Sequence, residues 1–163
     1  MAKLTVNGLE DFSTRIHALG EKGEDVAKAA VYEGAKVLTE AVKQAIRELP
    51  EEPWHFVRPG KGEELNVITP SDKEDLISGL GVAHFDSTGG KVTTAIGFNG
   101  YSSHPTKKYT SGVPLALIAR SIESGSSVRR KYPFMRRAAN NAKERAQQAM
   151  VAAAYAKIDE ITK

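Results

Sequence analysis

The chain has 163 residues, 40% of them hydrophobic and 26% charged, with a net charge of +3 and no cysteine. These are ordinary globular proportions for a single domain over 1–163, and they exclude disulfides and thiolate metal sites. No run approaches the roughly 20 apolar residues of a membrane span, and the start MAKLTVNGLEDF lacks a signal-peptide core, so the expectation is a protein without a membrane partner, made in the cytoplasm.

Asn7 is placed to cap a first helix, in which Leu9, Phe12, Ile16 and Leu19 recur at helical spacing before Gly20 and Gly23. A second helix is expected from about residue 24 to 49. Val26, Ala30, Val37, Ala41 and Ala45 form its apolar stripe, widened by Leu38, Val42 and Ile46. Glu24 and Asp25 at its start complement the helix dipole. At 1.5 Å per residue this is a rod of about 37 Å, which must cross a sheet or project toward another subunit.

Pro50, Pro53, Pro59 and Gly60 break the pattern, so 50–70 is expected as an extended loop. Trp54, the sole tryptophan, lies in it with His55 and Phe56. It anchors the loop into the core, or it is an aromatic hot spot at a subunit contact. Ser71 to Glu74 spells a capping box, which predicts a short helix over 72–78. The next expectation is a hairpin, with a strand over 80–85, a turn over 86–90, and Val92, Thr94, Ile96 and Phe98 alternating along the second strand. The polar segment 99–112, carrying Tyr101 and Tyr109, reads as a mobile loop. The apolar run 114–121 suits a short buried helix better than a strand. The final helix, over 133–161, carries Ala138, Ala142, Ala146, Ala149 and Ala153 in a stripe that permits close approach of a neighbour.

The start of that helix is basic. Between 129 and 145, Arg129, Arg130, Lys131, Arg136, Arg137, Lys143 and Arg145 stand against the single acid Glu144. The window carries +6, so with +3 for the whole chain the remainder carries −3. A basic patch this local is either a solvated helix face or a surface for phosphates or an acidic protein. Aromatic residues are sparse around it, which disfavours a dedicated single-strand binder.

Enzymatic chemistry finds little support. His84 and Asp86 share one side of the expected strand, but a third metal ligand is not evident. The string Gly125-Ser126-Ser127 lacks the second glycine and the strand–turn–helix setting of a nucleophile elbow. There is no phosphate-binding or dinucleotide glycine pattern. The expectation is a non-enzyme without cofactor. Glu123, placed between an apolar run and Gly125, is expected to be partly buried and paired with Arg120 on its own helical face.

The order Ile118, Ile122, Glu123, Gly125 and Ser126, a polar loop, then Pro133, Phe134, Met135, Arg136 and Ala138 resembles the neck or tail-completion proteins of long-tailed bacteriophages. There an I-x-x-x-I-E-x-G-(S/T) segment precedes a P-F-(L/M)-R-x-A helix start. The resemblance covers about a quarter of the chain. It implies an α+β domain, a small antiparallel sheet packed with a long N-terminal helix and a C-terminal helix. It further implies a virion structural protein, synthesised in the host bacterial cytoplasm, that forms a ring oligomer at the head–tail junction during morphogenesis. Its partners would be copies of itself, portal or head-completion proteins, and tail-tube or tail-terminator proteins. Non-specific contact with DNA in the lumen is compatible with that place. Within the resemblance, Glu123, Gly125, Pro133 and Phe134 shape the turn. The surfaces expected to meet partners are Trp54, His55 and Phe56, then Tyr101 and Tyr109, then Arg129, Arg130, Lys131, Arg136 and Arg137. The alternative is a nucleic-acid-binding module that uses the same basic segment.

Overall fold

Helix α1, Gly23–Arg47, follows the expected apolar stripe and buries Gly34, Ala35, Thr39, Val42 and Ile46. Glu24 and Asp25 occupy its first turn, where no side chain caps it. The Glu24 carboxyl lies below its ordinary pKa, chiefly through the hydrogen bond from Lys28, four residues on. The computed structural model describes residues 20–51, 68–88, 91–126 and 129–162. The expected first helix and the loop carrying Trp54, His55 and Phe56 lie outside them.

Helix α2, Pro70–Gly79, has a capping box two residues earlier than the sequence suggests. Thr69, not Ser71, is the cap. Its Oγ1 accepts from the Asp72 backbone N–H at 3.1 Å, and the Asp72 carboxylate accepts from the Thr69 N–H at 3.0 Å. Pro70 enters the first turn, where a missing N–H costs nothing.

The hairpin forms, but in two short ladders. Strand β1, Leu80–Val82, pairs antiparallel with β4, Ile96–Phe98, and β2, Asp86–Thr88, pairs with β3, Lys91–Thr93. Leu80 faces Phe98, whereas Asp86 faces Thr93, so the register shifts by one residue between the ladders. The extra residue lies within 83–85, a bulge that interrupts the expected continuous strand. The backbone N–H of Ala83 reaches the Ala95 carbonyl at 2.7 Å, and Thr94 Oγ1 donates to the Ala83 carbonyl at 2.7 Å. Asp86 to Thr88, expected as turn, are paired strand residues instead. The alternation of Val92, Thr94, Ile96 and Phe98 survives the interruption, each half-buried between exposed neighbours.

The polar segment that follows is tied at its base. Ser102 is buried, and its N–H donates to the Val113 carbonyl at 2.8 Å. The Ser103 N–H and hydroxyl both reach Asp75 of α2. Helix α3, Leu115–Ser124, buries Leu115, Ile118, Ala119 and Ile122, as its helical reading requires. Helix α4, Phe134–Thr162, buries Phe134, Ala138, Ala142 and Ala146.

The expected α+β class holds, with α1 and α4 packed on each other as its main interface. Alanines on α4 let the two rods approach closely. At Gly34 even a Cβ would come within 2.6 Å of Met150 Cγ. Since Gly34 meets Met150 while Ala41 and Ala45 lie near Phe134 and Ala138, the pair is antiparallel. The core continues from the C-terminal part of α1 through Leu76, Leu80 and Ile122 to Phe134, whose ring lies 6.3 Å from that of Phe98. Ile46, Leu76 and Ile122 are fully buried, each stabilising the fold by about 2 kcal/mol through apolar burial. Among the described residues no helix is long and apolar enough to cross a membrane.

Candidate functional site

Where the C-terminus of α1 meets the N-terminus of α4, the two short helices cap both long ones. Lys73 on α2 is buried and donates through Nζ to the Arg47 carbonyl at 3.0 Å. It thus sets a positive charge on the negative end of the α1 dipole, and it also pairs with Glu51 at 2.8 Å. Glu123 on α3 does the converse for α4. Its carboxylate accepts the backbone N–H groups of Met135 at 2.9 Å and Arg136 at 3.2 Å. These donors belong to the first turn, which has no intrahelical acceptors for them. The expected pairing of Glu123 with Arg120 is therefore corrected. A carboxylate is better spent on two N–H groups at a positive helix end than on one solvated guanidinium.

The turn between α3 and α4 brings Glu123 into place. Gly125 has φ 75° and ψ 164°, a region open essentially to glycine, and a Cβ there would lie 3.0 Å from Lys131 Cβ. The Tyr132 N–H then donates to the Ile122 carbonyl at 2.7 Å. Pro133 sits just before the helix, and its carbonyl accepts from the Arg137 N–H at 3.2 Å, opening the ladder. Phe134 inserts into the core beside Phe98. The four expected turn residues thus act as one clasp.

Arg129 departs from its expected place on a partner-facing surface. Its side chain is only 11% exposed, with one guanidinium nitrogen 3.1 Å from Ser121 Oγ and another 4.0 Å from Asp72. Its Nε is buried without a hydrogen-bond partner. Burial lowers its pKa and Asp72 opposes this, but a guanidinium stays charged at any physiological pH. Arg129 therefore ties the turn to α2 and α3.

The remaining basic residues do face outward. Arg130, Lys131, Arg136 and Arg137 are exposed, and Arg130 lies 5.9 Å from the Tyr132 ring centre. Between α1 and α4 beside them runs a groove of about 470 Å³. Arg137, Asn141 and Arg145, spaced four apart, form its wall on α4, while Gln44 and Glu48, joined by a 2.8 Å hydrogen bond, face them from α1. Ala41, Ala45, Leu49, Phe134 and Ala138 supply apolar lining. Neither Arg137 nor Arg145 has a salt-bridge partner among the described residues. Asn141 and Gln44 were not singled out in the sequence, and Arg145 was counted in the basic window but not among the residues expected to meet partners. The signal available was the four-residue spacing of 137, 141 and 145, which puts them on one ridge.

Tyr101 and Tyr109 do not line this groove. Tyr101 is 63% exposed and bridges to Pro114, and Tyr109 is half-buried with Lys108 Nζ 5.4 Å from its ring centre. His84 lies in the bulge, and Asp86 accepts a hydrogen bond from Thr88 Oγ1 at 2.8 Å. Among the described residues no three His, Cys, Asp or Glu side chains converge as metal ligands. What the site offers chemically is a rigid, cationic, partly apolar cleft at a braced helix junction. No protein-family model, curated protein or solved structure matches the chain.

Proposed function

We propose that this chain is a non-enzymatic structural protein of a long-tailed phage virion that oligomerises at the head–tail junction, in the neck or tail-completion layer. The observation that carries this reading is the clasp between α3 and α4. The residues behind the family resemblance have interlocking roles: Ile118 and Ile122 in the core, Glu123 on the α4 N-terminus, Gly125 at the turn, Pro133 and Phe134 at the helix start. A string whose members depend on one another physically supports the resemblance better than a string of unconnected residues. The mechanism is assembly itself. A braced helix pair presents a cationic end to a copy of itself or to portal-side and tail-side neighbours, and needs no cofactor.

The exposed basic residues favour one rival, a nucleic-acid-binding module. Phe134 is buried and Tyr132 half-buried, so among the described residues neither of these rings is an exposed stacking platform beside the charges. Solution mass over a hundredfold concentration range, paired with a duplex-DNA titration at several salt concentrations, separates the two. The assembly reading expects mass to grow toward one discrete species, with weak DNA affinity at physiological salt. A strict monomer with tight DNA binding that falls steeply with salt would establish the rival.

A further inference from the structure

The groove between α1 and α4 combines an apolar lining with two arginines that lack salt-bridge partners among the described residues. Its occupant therefore needs an apolar side chain to fill the cleft and a carboxylate to meet the guanidinium ridge. A segment of this description is present on the chain itself. Val151 and Tyr155 on α4 are 55% and 66% exposed, and Asp159 follows four residues later, also exposed. At 100° per residue Val151 lies half a turn from Ala142, so the row Val151–Tyr155–Asp159 points away from the α1 interface. The row and the ridge Arg137–Asn141–Arg145 each span eight residues, about 12 Å of helix.

The charge distribution agrees. The end of the helix pair opposite the groove is acidic, with Glu21, Glu24, Asp25, Asp159 and Glu160 against Lys22, Lys28 and Lys157. That these residues share one end follows from Glu160. Its pKa is lowered first by the hydrogen bond from Lys157, but also by Lys22 near the start of α1. Ridge and row lie on one straight helix, so a molecule cannot fill its own groove.

We propose that the groove receives a second copy of this chain, which inserts Tyr155 over the apolar lining and sets Asp159 against the arginine ridge. This rests on the oligomeric reading above and names the two faces that join. Joined head-to-tail, each end copy keeps a free groove or a free row, so the contact repeats from copy to copy until the rotation closes a ring. A two-fold pairing that used both at once would stop at a dimer. Arginine and tyrosine are the side chains most often found to dominate such contacts.

The test uses two surface variants of the full chain, R137E/R145E in the groove and Tyr155→Ala with Asp159→Ala on the row. All four positions are exposed, and circular dichroism melting verifies that each variant folds. Sedimentation velocity is then run on the wild type, each variant, and their equimolar mixture. Each variant alone is expected to associate at least about tenfold more weakly than the wild type. The mixture is expected to form a dimer that grows no further, since it retains one intact groove and one intact row. Variants that assemble like the wild type overturn this interface while leaving the oligomeric reading standing. A wild type that stays monomeric throughout removes both.

Discussion

Glu123 and Lys73 place opposite charges on opposite helix ends at one junction, each reaching across from a short helix to a long one. Such caps satisfy backbone groups that otherwise face solvent or the protein interior unpaired. Replacing Glu123 with Ala is expected to destabilise the fold by about 1–2 kcal/mol in urea titration, with Gln costing less because one acceptor oxygen remains. An unchanged midpoint for the Ala variant would show that the cap contributes nothing. Gly125 is stricter. Gly125→Ala forces a backbone angle of 75° on a residue with a Cβ and presses it against Lys131, at an expected cost of about 1–3 kcal/mol by the same titration. The role of Glu123 was not legible from spacing, because helical neighbour rules see only its own helix. The N–H groups that donate to it lie 12 and 13 residues downstream, beyond a turn.

At the scale of elements, apolar periodicity located α1, α3 and α4 because each buries one continuous stripe. The boundaries of α1 were marked by Glu24 and Asp25 at one end and Pro50 beyond the other. The hairpin was legible in its alternation but not in its bulge. One extra residue in 83–85 leaves no mark on a period-two pattern that resumes on the partner strand. The cap of α2 was misplaced by two residues because Ser71 and Thr69 are equally good cap chemistry, and Pro70 in the first turn decides between them. The close approach of α1 to α4 at Gly34 gives the element-scale prediction. Gly34→Leu drives a branched side chain into Met150 and wedges the rods apart. A loss of about 2–3 kcal/mol in thermal or urea unfolding is expected, and wild-type stability would contradict the packing described.

At the scale of the molecule, the antiparallel α1–α4 pair separates charge, with the groove and its arginines at one end and the acidic residues at the other. Unlike ends of this kind are the charge distribution on which the proposed joining of copies rests. Most of that design lies in which basic residues turn outward, which composition did not disclose. Arg129 is drawn in by Ser121 and Asp72, while Arg137 and Arg145 flank the groove. The measurement that bears most directly on assembly as the function is electron microscopy of the purified chain at increasing concentration. Closed annular particles of one diameter, absent from R137E/R145E, are the predicted result. Isolated single molecules at every concentration would contradict it.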